Sequence, residues 1–246
     1  MMSLLGLKVI KLSAATKLFP IEMAHFDRDV FDYVRNNRLS TSSEERLFAT
    51  IMACQHVVQT AIEGDFVECG VWRGGNSIIA ANVFKRMAPE RAVWLFDTFA
   101  GMTAPTEVDI NFRGESAEAK FRQNQREDHN EWCYSPLEEV KGNFEKVGLL
   151  GTNLRFIQGD VSKTLATGNH LPEKISVLRL DTDWYESTKI ELEVLFPRLS
   201  KGGILILDDY GHWGGSRKAV DEYFKTNVRP FFQYIDHTAR AGVKCN

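Results

Sequence analysis

The chain has 246 residues, 43% hydrophobic and 26% charged, with a formal net charge of −3 and a pI near 6.1. That length suits one large domain or two small ones with a sizeable core, and that charge gives no support for a nucleic-acid or anionic-membrane surface. Cys54, Cys69, Cys133 and Cys245 lack CxxC spacing, so reduced thiols are expected rather than a zinc site or a disulfide framework.

Met1 to Phe19 is interrupted by Lys8, Lys11 and Lys17 and has no clean apolar core with a cleavage site. No run reaches the roughly 18 apolar residues of a membrane span. A cytoplasmic protein without a membrane or nucleic-acid partner is the expectation. Residues 1 to about 40 are weakly patterned. Ser40-Thr41-Ser42-Ser43-Glu44-Glu45 then supplies hydroxyl caps and first-turn acids for a helix from about Glu44 to Ile62. Residues 1–62 therefore read as an N-terminal helical extension, and 64–246 as the core of a single domain covering 1–246. Phe66–Val71 reads as a short buried strand entering a glycine-rich turn, with a helix from about Asn76 to Met87 after it. Ala92–Phe96 is a second strand, ending in Asp97. Residues 100–135 are polar and poor in periodicity, as a lid-like insertion would be. A helix from about Ser135 to Val147, a strand Leu154–Ile157 closed by Gly159-Asp160, and strands at 175–180 and 203–207 follow. Helices are expected at about Ser187–Leu199 and Ser216–Lys225, with a last strand at 231–235. Strands alternating with helices specify an α/β fold with a doubly wound, mostly parallel sheet.

Acids stand at the ends of the last two long strands: Asp181 and Asp183 in Leu180-Asp181-Thr182-Asp183, and Asp208-Asp209 after Gly203–Leu207. In an open α/β sheet the carboxyl ends of the strands form the ligand crevice. Carboxylates this close repel one another unless a cation sits between them, and Mg²⁺ takes a few carboxylates completed by waters and substrate oxygens. Asp181, Asp208 and Asp209 are the candidate metal ligands, and Asp183 is placed to accept a proton from a substrate hydroxyl. The competing reading is that Asp208-Asp209 caps the next turn and Asp181 bonds backbone amides.

The turn Glu68-Cys69-Gly70-Val71-Trp72-Arg73-Gly74-Gly75 lacks the dinucleotide pattern G-x-G-x-x-G. It suits a nucleoside ligand without a pyrophosphate, or is a plain tight turn. Asp97 is placed for ribose hydroxyls or as a helix cap, and Gly159-Asp160 for an adenine amine or as a turn. The candidate cofactor shell is Glu68, Gly70, Ser77, Asp97, Thr98, Gly159, Asp160 and Asp181. His212, in Tyr210-Gly211-His212-Trp213-Gly214-Gly215, is a catalytic candidate with loop anchoring as the alternative. Trp184-Tyr185 reads as packing before acceptor stacking, and His129 and His170 are given no role.

The runs GDFVECGVWRGGNS, LFDTFAGM, VLRLDTDWYEST and GGILILDDYGHWGGSRKAVDEYF resemble the macrocin O-methyltransferase family, from about Leu39 to Phe224. The resemblance implies S-adenosylmethionine- and Mg²⁺-dependent methylation of a sugar hydroxyl, on a class I methyltransferase fold with a seven-stranded sheet. It implies Glu68, Gly70, Asp97 and Asp160 around the cofactor, Asp181, Asp208 and Asp209 on the metal, and Asp183 as general base. A sugar or glycoside acceptor and a homodimer or higher homo-oligomer are expected. Two other readings were open to these residues: a glycosyltransferase using Asp181-Thr182-Asp183 as a D-x-D motif, and a binding module without turnover.

Overall fold

A computed structural model describes residues 19–151 and 153–246. The reading of the N-terminus with its lysines at 8, 11 and 17 lies outside the described residues. In chain order the elements are α1 (His25–Asn36), α2 (Glu44–Gln59), β1 (Asp65–Cys69), α3 (Gly75–Met87), β2 (Val93–Asp97), α4 (Glu118–Asn124), α5 (Leu137–Lys146), β3 (Leu154–Gln158), α6 (Val161–Thr164), β4 (Ile175–Leu180), α7 (Tyr185–Val194), β5 (Leu199–Leu207), α8 (Gly214–Thr226), β6 (Gln233–Tyr234) and β7 (Arg240–Val243). They build a seven-stranded sheet of order β3-β2-β1-β4-β5-β7-β6, in which β7 runs antiparallel to both of its neighbours. Among the described residues no helix is long and apolar enough to cross a membrane.

Alternation along the central strands divides the core into two layers, because successive side chains of a strand point to opposite faces. Phe66, Val177, Ile204 and Ile206 pack with α1, α2 and α3 on one face. Val67, Leu178, Leu205 and Leu207 pack against α7 and α8 on the other. All six residues of β4 are buried, as a central parallel strand covered on both faces requires. Ser43 caps α2, accepting from the Arg46 amide at 3.2 Å, and Glu44 and Glu45 follow in the first turn.

Several sequence expectations are corrected. Residues 25–36, read from the sequence as weakly patterned, form a helix whose buried Phe31 and Val34 join the main core. The helix expected to reach Ile62 stops at Gln59, and the one expected to reach Leu199 stops at Val194, before a short 3-10 turn over Phe196–Arg198 holding Pro197. Strand β5 starts at Leu199 rather than 203. The last strand shrinks to Gln233–Tyr234, and β7 was not anticipated. The unpatterned stretch 100–135 contains α4.

Candidate functional site

The parallel strands end level. Cys69 pairs with Phe96 on one side and Leu180 on the other, and Leu180 pairs with Leu207. One residue further the ladder still continues: Gly159 N donates to Asp97 O, Gly70 N to Phe96 O, Asp181 N to Cys69 O and Asp208 N to Leu180 O, each at 2.9 Å. Five strand ends therefore bring Gly159, Asp97, Gly70, Asp181 and Asp208 into one row. The row floors a cavity of about 460 Å³ whose wall includes Gly70, Asp97, Thr98, Gly159, Asp160, Asp181, Asp183, Asp208, Asp209 and His212.

Local conformation explains several of these residue types. Gly70 has φ +82°, and a Cβ there would stand 2.0 Å from the Asp181 carbonyl oxygen, so only glycine lets β1 and β4 end this close together. Asp97 accepts from the amides of Val71 (2.6 Å), Trp72 (3.0 Å) and Phe99 (2.7 Å), fastening the β1–α3 turn to the end of β2. Burial still pushes its carboxyl above the ordinary value, against the lowering effect of those amides. Asp160 caps α6, accepting from Ser162 N at 2.9 Å and Ser162 Oγ at 2.7 Å through Oδ1. Its Oδ2 faces Lys163 Nζ at 4.0 Å. Asp183 sits at φ +69°, one of three non-glycine residues of the cavity wall, with Trp72 and Cys133, in the left-handed region. Such conformations persist where the surroundings over-determine them, often at functional sites.

Glu68 and Ser77 are both buried, beneath the cavity wall, and bonded to each other. What they support is Arg179, the one arginine of the apolar β4 run and wholly buried. Arg179 Nη1 donates to Glu68 Oε1 at 2.7 Å and Asp181 Oδ2 at 2.6 Å, and Nη2 donates to Asp208 Oδ1 and to Ser42 Oγ at 3.0 Å. Arg46 of α2 holds the other Asp208 oxygen and reaches Asp236 at 2.9 Å. Arg179 and Arg46 were not singled out in the sequence. Arg179 carried a signal there, a lone charge inside a buried strand; Arg46 carried none.

Burial raises Asp181, Asp183 and Asp209 together, with mutual repulsion adding to it, and Asp183 is pushed up to about 7. Glu68 is likewise raised to about 7 by burial against the opposing pull of Arg179. One ligand atom each from Asp181, Asp208 and Asp209 lie within 4.8 Å of one another, and buried Asp209 Oδ2 has no hydrogen-bond partner. Hard oxygen donors of this number and spacing fit a small divalent cation. His212 lies on the wall with its ring edge-on to Phe112 at 5.2 Å, and burial first, then His237 and nearby cations, keep it below its ordinary pKa. Trp184 is buried against Trp132 (5.6 Å) and Trp213 (4.9 Å), with Nε1 donating to Thr103 O, so it is packing, while Trp132 and Trp213 reach the cavity.

The insertion is tied down by an acid the sequence did not flag. Buried Asp109 accepts from Thr106 N (2.6 Å) and from Tyr185 N (2.9 Å) at the start of α7. Gly214 N donates to Ile110 O at 2.7 Å at the start of α8. Across its neck Asn130 N donates to Ala100 O and Met102 N to Trp132 O. The 100–135 segment thus forms one wall of the cavity, supplying Met102, Thr103, Lys120, Trp132 and Cys133.

Comparison with known proteins gives a concordant result. The profile of the macrocin O-methyltransferase (TylF) family matches residues 32–241. A Streptomyces olivaceus protein named 8-demethyl-8-(2,3-dimethoxy-alpha-L-rhamnosyl)-tetracenomycin-C 4'-O-methyltransferase is 42% identical over 171 residues, 68% of this chain and 60% of that protein. The mycinamicin III 3''-O-methyltransferase of Micromonospora griseorubida is 38% identical over 176 residues, 69% of this chain and 65% of that protein. The chain thus spans 60 to 65% of the length of these curated relatives. Among solved structures, the O-methyltransferase NovP superposes with a TM-score of 0.70 at 32% identity, covering 83% of this chain and 81% of that one.

Proposed function

Because the chain belongs to the macrocin O-methyltransferase family and has the class I methyltransferase fold, we propose that it transfers a methyl group from S-adenosylmethionine to a hydroxyl of a sugar or glycosylated small molecule, with a divalent cation such as Mg²⁺ at the acids. The observation that carries this reading is the level row of strand ends, which brings Gly70, Asp97, Gly159 and the carboxylate cluster onto one cavity of about 460 Å³. Gly70 and Gly159 stand on the cavity wall at the ends of β1 and β3, where the donor would lie, with Asp97 and Asp160 beside them. Asp97 acts through the turn that it fastens, since three amides already occupy its oxygens.

Asp181, Asp208 and Asp209 would hold the cation, and when bound it lowers the pKa of an acceptor hydroxyl. Asp183 takes that hydroxyl's proton on its carboxylate. The acceptor oxygen forms its bond to the methyl carbon as the carbon–sulfur bond breaks, leaving a neutral thioether. Arg179 and Arg46 keep the acids in place and offset part of their charge. His212, neutral by burial, lines the acceptor side. The D-x-D glycosyltransferase reading gives no use to the recess at Gly70 and Gly159.

The test is incubation of the full chain with S-adenosylmethionine, Mg²⁺ and a panel of glycosides, read by mass. The proposal expects a 14-dalton gain on at least one glycoside, abolished by chelator and by Asp208→Ala (a one-methyl increment). Turnover undiminished in chelator would remove the cation. Binding of S-adenosylhomocysteine without turnover across the panel would favour a binding module.

A further inference from the structure

Basic side chains gather on one side of the cavity, where Lys120, His212 and His237 line it. His212 and His237 flank the Phe112 ring at 5.2 and 6.4 Å, and the Arg113 guanidinium stands 5.2 Å from the same ring. Lys120 of α4 reaches the cavity with its ammonium 3.9 Å over the face of Trp132. Lys120, His212 and His237 line the cavity together, and Arg113 stands beside them across the Phe112 ring. Among the described residues none of the four side chains has a hydrogen-bonded or ion-paired carboxylate. Other acids of this region have partners of their own: Glu118 with Arg122, Glu115 with Asn111, Asp109 with Thr106 and Tyr185, and Asp236 with Arg46. Lys120 and Arg113, cations held on aromatic faces, and two imidazoles that can each donate a hydrogen bond are placed to meet an incoming anion.

We propose that this side of the cavity is an anion subsite, in which Lys120, Arg113, His212 and His237 receive a negatively charged group carried by the acceptor beside the sugar that is methylated. This rests on the methyl-transfer reading for the word acceptor, though the subsite itself is tested by binding alone. The shared chemistry is an oxyanion, supplied either by the phosphoryl group of an activated sugar or by the carboxylate of a uronic acid. The acids and the basic side chains orient such a molecule: its hydroxyls face the acids and its anion faces the basic groups.

Calorimetric titration of the metal-free full chain tests this with three probes: a nucleoside diphosphate hexose, a methyl hexuronide and the matched neutral methyl hexoside. The proposal expects one of the two anionic probes to bind about tenfold more tightly than the neutral one, identifying the source of the charge. It expects Lys120→Met with Arg113→Gln to erase that preference and Lys120→Arg to keep it. Both side chains are exposed, so the variants should melt with the wild type. A neutral hexoside that binds as well as both anions, or a preference surviving in the double variant, overturns the subsite. S-adenosylhomocysteine titrated into the same samples separates the two ideas. Absence of its heat counts against methyl transfer, whereas the anion preference is read independently.

Discussion

Arg179 carries more of the site than any single acid. It is wholly buried and touches Glu68, Asp181 and Asp208 at once. Removing one partner from such a network leaves buried charge without compensation, at a cost of ~3–5 kcal/mol. Arg179→Leu is expected to lose about that much in chemical denaturation, while an unchanged midpoint would mean that the carboxylates do not need it. Asp183 calls for a different substitution. Asn keeps its shape and tolerates φ +69°, so Asp183→Asn removes the proposed base without disturbing the turn. Turnover should fall by roughly 10²–10⁴-fold with S-adenosylhomocysteine affinity unchanged, measured by steady-state kinetics and calorimetry on the same protein. At this scale the acids were legible because each follows a buried apolar strand. Their supports were less so: Arg46 and Asp109 act across long sequence separations, and nothing near them in the chain marks either.

Between elements, two side-chain ties hold the site in shape. Asp236 accepts from Ser43 Oγ (2.7 Å), Thr238 N (2.9 Å), Ala239 N (2.8 Å) and Arg46, joining the start of α2 to the β6–β7 turn. Partial burial opposes its ionisation, but the amides, the Ser43 hydroxyl and Arg46 outweigh that and hold its carboxyl well below the ordinary range. A carboxyl depressed in the fold adds stability that is present above the unfolded-state pKa of about 3.9 and is lost as pH falls below it. The melting temperature of Asp236→Asn should therefore lie below wild type at pH 7, with the gap narrowing under acid titration below about pH 4. A gap constant with pH would deny the ionic tie. Asp109 is the second tie, between the insertion and the starts of α7 and α8. In Asp109→Ala the acceptor KM should rise while S-adenosylhomocysteine binding stays close to wild type, since the insertion supplies wall on the acceptor side. Periodicity shows why these elements were read unevenly. Strand β4 is apolar throughout and announces itself, whereas β7 is only Arg240-Ala241-Gly242-Val243 and takes its identity from pairing with β5. The 25–36 helix does carry a helical pattern, with Val30, Phe31, Tyr33 and Val34 recurring at i, i+1, i+3 and i+4, but it is short and has no side-chain cap to mark its start.

Over the whole molecule, the topology does one thing for function: it ends five parallel strands at one level. The alternation of strands and helices and the motif runs were enough to place the chain in its fold and family. The shape of the acceptor side was not legible, because it depends on the 100–135 segment, which is held by distant ties rather than by local pattern. The central claim is that the recess at Gly70 and Gly159 receives the methyl donor beside the acids. The most direct check is calorimetric titration of the full chain with S-adenosylhomocysteine, paired with Gly70→Ala, whose added Cβ would stand 2.0 Å from the Asp181 carbonyl oxygen. The account predicts one-to-one binding to the wild type and its loss or severe weakening in Gly70→Ala; a wild-type chain that gives no binding heat, or a Gly70→Ala chain that binds as well, would contradict it.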